Sequence, residues 1–271
     1  MLKLDDIPIV CISLDRRPDR WTAFKDRASA AGLHAERLSA VDAKSFDAKK
    51  HPSVSVITAH NLHYGVRRSP YEINVPGAVG ASLSHFKAWE QLRSSTAPAM
   101  IVFEDDSPMP ADMRARVETM LSSLPDDWDI VNFHRTYFGD GVYGCKAGTA
   151  DKSPWQTCDS LAGAHAYLVS RAGAEKLLAR AYPIELHVDA YMAFMARLGH
   201  VRMMWHPVLD IGGDWTDTDI NHSGNLIVGL PTDMERQGVH AIDTQSLLGI
   251  VAMSAVAGGL LSLAFAAKKS G

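Results

Sequence analysis

Between Pro8 and about Asp219 the sequence alternates short apolar runs with helical stretches, and this order is the strongest constraint on the chain, because an α/β sheet domain is what buries it. IPIVCISL, from Ile7, reads as a first strand, and RPDRWTAFKDRASAAGL, with Pro18 near its start and Gly32 near its end, reads as the helix that follows. AMIVFE, Ala99 to Glu104, is a second strand, preceded by a helix over SLSHFKAWEQLRSS. DIVNFH, Asp129 to His134, is a third strand. AHAYLVS, Ala164 to Ser170, is a fourth, and SRAGAEKLLARA is its helix. Residues 44–76 hold Pro52, Pro70 and Pro76 with little periodicity and are expected to form a long surface excursion. The expected domain covers residues 1–220, long enough for a real core, and a polar linker follows over 221–246.

From Leu247 to Ala267 the sequence LLGIVAMSAVAGGLLSLAFAA carries no charge and no proline. That matches the ~20 residues a helix needs to cross a bilayer, so 247–267 is expected to be a membrane-spanning helix. Ser254, Gly258, Ser262 and Ala266 recur every fourth residue, a face on which another helix could approach closely. The expected location is therefore membrane-associated through a single C-terminal anchor, with the N-terminal domain cytoplasmic. Lys268 and Lys269 follow the run at once and leave its topology open.

The formal net charge is −4, so the chain has no broad electrostatic claim on nucleic acid. Cys11, Cys145 and Cys158 are too few for a disulfide framework and form no CxxC pair, which makes a reducing compartment the default.

The sharpest chemical feature is Glu104, Asp105 and Asp106 directly after the apolar MIVF. Three successive carboxylates repel one another unless a cation sits among them, and hard oxygen ligands suit Mg²⁺ or Mn²⁺, the ions that bridge diphosphates. Such a run can also be a solvated turn, as the acid-x-acid pairs Asp127/Asp129 and Asp217/Asp219 are expected to be. Gly139, Gly141 and Gly144 spell GxGxxG, but no helical period follows, so a glycine-rich loop is expected rather than a dinucleotide fingerprint. The HxxH of His60 and His63 has no carboxylate at ligand spacing and reads as surface histidines. Walker A and GxSxG patterns are missing.

LDRRPDR, Leu14 to Arg20, leaves the first strand and opens a helix, so Arg16, Arg17 and Arg20 with the first amides are either an anion cradle or a solvated helix start. Ser84 and His85 lie in GAVGASLSHFKAW at the entry to a helix, as pocket or as packing residues. Asp189 in PIELHVDAYM is either a functional carboxylate or a helix cap.

Taken together, VCISLDRRPDRW with RLSAVDA, GAVGASLSHFKAW, MIVFEDDSPM, AHAYLVSRAGAEKLL and HVDAYM, in that order, resemble glycosyltransferase family 25, which includes lipo-oligosaccharide galactosyltransferases of lipopolysaccharide biosynthesis and procollagen galactosyltransferases. The resemblance covers about residues 7–220. It implies a GT-A fold: a Rossmann-like nucleotide-binding sandwich with a mixed central sheet. It also implies a divalent metal, Mn²⁺ or Mg²⁺, a UDP-sugar donor, usually UDP-galactose, and inversion at the anomeric carbon. Carried over by position, Asp106 and Glu104 would be metal ligands, while Leu14, Asp15, Arg16, Arg20, Asp42, Ser84, His85 and Asp105 would bind the donor. Asp189 would be the base for a hydroxyl on a glycan, glycolipid or protein acceptor, or would orient that acceptor. Ala81 stands where many members have Cys, and Ala43 where Gly often follows the aspartate. These departures allow an inactive sugar-nucleotide or glycan-binding protein of the same fold.

Overall fold

The computed structural model describes residues 2–134, 137–138, 141–142, 145–147, 153–160 and 163–212. These lie within a compact unit, Met1–Leu230. The expected linker 221–246 and apolar span 247–267 lie outside the described residues, as do Gly139 and Gly144. Among the described residues no helix is long and apolar enough to cross a membrane.

β1 (Ile9–Ser13) is buried along its whole length, as a strand covered on both faces of an α/β sheet must be. α1 (Pro18–Ala30) opens with proline in its first turn, where the missing N–H costs nothing. β2 (Glu36–Ser39), α2 (Val56–Tyr64), α3 (Pro76–Ser94), β3 (Ala99–Glu104), α4 (Met113–Ser122) and β4 (Ile130–Asn132) follow. β5 (Tyr137–Phe138) pairs with β6 (Gly141–Val142) as a separate two-stranded sheet. β7 (Cys145–Ala147), β8 (Gln156–Cys158), β9 (Ala166–Ser170), α5 (Arg171–Leu178), α6 (Val188–Arg197) and β10 (Met203–Trp205) complete the described elements.

The main sheet runs β2-β1-β3-β9-β4-β10-β8-β7. β1 is parallel to β2 and β3, and β4 to β10, while β9 is antiparallel to both its neighbours. This mixed α/β sheet fits a Rossmann-like fold. Strand alternation splits the core in two. Val10, Ile12, Met100, Val102, Ile130, Tyr167 and Val169 face α3, α5 and α6, where Phe86, Trp89, Leu92, Leu177 and Met192 meet them. Ile9, Cys11, Ile101, Phe103, Val131 and Leu168 face α1 and α4, packing on Phe24, Met113, Val117 and Met120.

Three expectations change. The helix expected over 82–95 begins at Pro76, because the small residues before it are themselves helical and permit a close approach: a Cβ on Gly80 would stand 2.6 Å from the Val41 carbonyl oxygen. The excursion 44–76 is folded against the domain rather than a surface loop. Thr58 Oγ1 donates to the Ile184 carbonyl at 2.9 Å, and single bridges join Val54 to Ile184 and Glu72 to Leu186. Its interior is largely polar and hydrogen-bonded, with buried Glu72 accepting from Asn61 Nδ2 and from Arg68 and only Ala48 and Ile73 as buried apolar side chains, so it shows little apolar period. Cys145 and Cys158 lie opposite each other across β7 and β8 and form a disulfide, and Cys11 is a buried free thiol. The element after the GxGxxG pattern is β7, a strand rather than a helix.

Candidate functional site

β1 leads through α1 to β2 on one side, while β3 lies on its other side, so the carboxyl ends of β1 and β3 flank a point where the strand order reverses. Open α/β sheets place their ligand crevice at such a point. A cleft of about 470 Å³ lies there. Leu14, Arg16, Arg20, Asp42, Ser84, His85, Glu104, Asp105 and Asp106 all line it, so segments far apart in the chain converge on one volume. Its apolar wall is Ile12, Ala40, Val41, Ala43, Val75, Pro76 and Ala81, and Lys44 adds a cation.

The acidic trio is spread by the end of its strand. Glu104 continues the face of Met100 and Val102 toward α3, where His85 Nε2 lies 3.1 Å from Glu104 Oε1. The chain then turns, with Ser107 N donating to the Glu104 carbonyl at 3.0 Å. Asp105 Oδ1 and Asp106 Oδ2 both meet Arg20 Nη2 at 2.7 Å. Arg20 is thus shared between two of the three carboxylates. Burial, with the charges of Glu104 and Asp105, pushes the Asp106 carboxyl up to about 7 against the pull of Arg20. Burial also raises the Cys11 thiol beneath the trio, and all three carboxylates raise it further. Glu104 goes the other way: burial would raise it, but the hydrogen bond with His85 and the positive charge of Arg20 hold it below the usual glutamate range.

Two carboxylate oxygens therefore already share a single cationic atom. Among the described residues no three His, Cys, Asp or Glu side chains converge as a metal cluster. Mg²⁺ and Mn²⁺ need no such cage, since they are commonly held by one or two carboxylates plus phosphate oxygens and water. The trio fits that donor set.

The rest of the cleft is held by polar clips. Asp42 Oδ2 takes Arg16 Nε at 3.0 Å, and Asp42 Oδ1 caps the turn at Lys44 N. Ser84 Oγ accepts from Val41 N at 2.8 Å and donates to the Gly80 carbonyl at 2.7 Å, so it ties the Val41–Ala43 segment to α3. The Ser84-His85 pair therefore sits inside a helix, not at its entry. His85 Nδ1 lies 2.9 Å from the Tyr167 hydroxyl, which also accepts from Trp89 Nε1 at 2.9 Å.

Two expected site residues do not line the cleft. Asp15 turns to β2, meeting Arg37 Nη2 at 2.9 Å and Ser39 Oγ at 2.7 Å, because it follows β1 on the side where β2 pairs. Asp189 lies in the first turn of α6, where its oxygens accept from Gly163 N at 2.6 Å and Ala190 N at 2.8 Å. Its charge reaches His165, whose carbonyl accepts from Glu104 N at 2.8 Å. Burial lowers the pKa of His165, and the charges of both Glu104 and Asp189 oppose that. Lys44, Tyr167 and Trp89 had no signal of their own in the sequence, and only the H-x-x-x-W spacing of His85 and Trp89 on one helix face hints at a shared target.

Fold and cleft together define an open-sheet α/β domain with a charged crevice at its switch point. The model of glycosyltransferase family 25 (LPS biosynthesis protein) matches residues 6–192, and the chain belongs to that family. It is 27% identical over 203 residues to the inactive glycosyltransferase 25 family member 3 of Mus musculus, covering 69% of this chain and 31% of the mouse protein. A glycosyltransferase 25 family member of Anopheles gambiae is 27% identical over 205 residues, 71% of this chain and 32% of that protein. Procollagen galactosyltransferase 1-A of Xenopus laevis is 27% identical over 155 residues, 53% of this chain and 23% of that protein. The chain thus spans about a third or less of the length of these relatives.

Proposed function

We propose that this chain is a metal-dependent, inverting glycosyltransferase of GT-A type that moves a hexose, galactose, from a UDP-sugar to a hydroxyl of a glycan, glycolipid or protein acceptor. The observation that carries the reading is the convergence of Glu104, Asp105 and Asp106 with Arg16 and Arg20 around one cleft. Arg16, oriented by Asp42, and Arg20 face the diphosphate, and the apolar wall from Ile12 to Ala81 receives the base. Asp106 and Glu104, with Asp105 beside them on the donor side, would hold Mn²⁺ or Mg²⁺, which as a Lewis acid would neutralise charge on the departing diphosphate. On the acceptor side Asp189 takes the hydroxyl proton, the oxygen forms its bond to the anomeric carbon from the face opposite the donor phosphate, and the bond from that carbon to UDP breaks, releasing UDP.

The test is transfer or hydrolysis of UDP-galactose by the full chain with and without Mn²⁺. Metal-dependent turnover that Asp106→Ala abolishes supports the reading. Turnover indifferent to chelator and to that substitution removes it. The name of the mouse relative favours a second reading, a sugar-nucleotide or glycan-binding protein without turnover. UDP binding by calorimetry, with no donor consumed across a panel of UDP-sugars, would select it.

For location we propose membrane association through residues 247–267. The Cys145–Cys158 disulfide favours an oxidising side for the domain over the cytoplasmic side expected from sequence. Thiol trapping before lysis decides between them: both cysteines alkylated as free thiols would return the domain to the cytoplasm.

A further inference from the structure

Beneath the cleft, three buried side chains, of which His85 also lines it, form a hydrogen-bond chain that ends on Glu104. Trp89 and His85 are one turn apart on α3, so they share a face. Tyr167 on β9 pairs directly with Val102 of β3, two residues before Glu104, which puts it on the Glu104 side of the sheet. All three side chains are at most 1% exposed. Trp89 Nε1–H donates to the Tyr167 oxygen at 2.9 Å, and an indole has nothing to accept with. The hydroxyl's other neighbour is His85 Nδ1 at 2.9 Å, and the opposite nitrogen of that ring, Nε2, lies 3.1 Å from Glu104 Oε1.

The donors and acceptors close in one direction. Glu104 can only accept, so the ring proton belongs on Nε2. The tyrosine proton, turned away from Trp89 because that group is a donor, has Nδ1 as its acceptor. A buried hydroxyl proton left without an acceptor is costly, and this arrangement leaves none. The ring also lies against the Tyr167 ring, with centroids 5.7 Å apart, so its plane is held as well as its tautomer.

We propose that Tyr167 is a positioning residue for Glu104, acting through the Nε2–H tautomer of His85 with Trp89 setting the direction of the chain. For its catalytic consequence this rests on the transfer reading above; the hydrogen-bond chain stands apart from it. Groups behind a ligand-bearing side chain commonly matter 10–100-fold, and Tyr167→Phe removes one hydroxyl while keeping the ring.

The experiment uses the full chain with ¹⁵N-labelled histidine. Long-range ¹H–¹⁵N correlations assign His85 by its loss in His85→Gln. The wild type is expected to show a single neutral Nε2–H tautomer at His85, and Tyr167→Phe a mixture of tautomers. With UDP-galactose and Mn²⁺, Tyr167→Phe is expected to lower kcat about tenfold and leave the donor KM within about twofold. An Nδ1–H tautomer or an imidazolium in the wild type overturns the proposal even if the variant does not fold. An unchanged tautomer and kcat in a folded variant overturn it as well. If the wild type turns over no donor, the transfer reading fails, and the tautomer measurement alone upholds or overturns the chain.

Discussion

Asp105 and Asp129 are both buried carboxylates beside a sheet strand, at 8% and 4% exposure, and their surroundings differ in kind. Asp129, just before β4, accepts from Lys176 Nζ at 2.8 and 2.7 Å and from Arg202 N at 2.8 Å, and its carbonyl takes Ser170 N at 2.9 Å. One carboxylate there meets a cation and a backbone amide. Asp105, just after β3, shares one guanidinium with Asp106 and has Glu104 adjacent. The first arrangement closes its own charge and belongs to the fold. The second crowds three carboxylates at the carboxyl end of two parallel strands and pushes the Asp106 carboxyl up to about 7, which is a reason to ask what else binds there.

The contrast breaks first at Asp106. Asp106→Asn is expected to lower transfer from UDP-galactose by about 10³-fold, on the order of losing a principal electrostatic group, while the melting temperature stays level or rises because a repulsive charge is gone. Asp129→Asn is expected to do the reverse. It should cost about 2–3 kcal/mol in urea unfolding, since a buried charge-assisted pair is lost, with kcat per folded molecule unchanged. Lys176 is half exposed and can return to water, which keeps that cost below the usual value for a sealed pair. If the two variants behave alike, the distinction between the carboxylates is wrong.

Two glycines sharpen the same comparison at smaller scale. A Cβ on Gly173 would stand 2.5 Å from the Asp129 carbonyl oxygen, and one on Gly80 would stand 2.6 Å from that of Val41. Both substitutions to alanine force backbone apart and should cost about 1–3 kcal/mol. Only Gly80→Ala moves the Val41–Ala43 wall of the cleft, so it alone is expected to weaken UDP binding in calorimetry, by severalfold. Equal loss of UDP affinity in Gly173→Ala would show that the effect is general destabilisation.

How much of this was legible follows from where the information sits. AMIVFE reads as β3 with no error at either end because a continuous apolar run stopped by charge needs no tertiary partner. The trio after it and LDRRPDR at the start of α1 are brought to one site by the family resemblance, since each alone also reads as a solvated turn or helix start. Asp129 could not be told from Asp127 by pattern, because what separates them is Lys176, 47 positions away, reaching one and not the other. The polar interior of residues 44–76 hid its structure for a similar reason: Glu72 is buried by hydrogen bonds to Asn61 and Arg68, and periodicity registers only apolar burial. Asp15 is expected in the cleft only by its position in the family resemblance, and its bonds to Arg37 and Ser39 hold it toward β2 instead.

The smallest expected effect is a pH dependence. Asp106 rises from an ordinary 3.8 to about 7 on folding, with burial first and the neighbouring carboxylates second among the causes. A carboxyl whose pKa is raised on folding favours the folded state fully below about 4 and loses that contribution as pH climbs through about 7. With chelator present, the wild type should therefore lose stability between pH 5 and pH 8 relative to Asp106→Asn. Its side chain is 27% exposed and solvent screens it, so the difference should be about 1 kcal/mol, or about 2–4 °C in Tm. Asp129→Asn keeps Asp106 and should retain the full pH-dependent drop. Saturating Mn²⁺ should flatten the wild-type curve by supplying the missing positive charge. Parallel curves for wild type and Asp106→Asn in chelator would mean that Arg20 compensates the trio as completely as Lys176 compensates Asp129, and the difference between the two carboxylate sites would disappear.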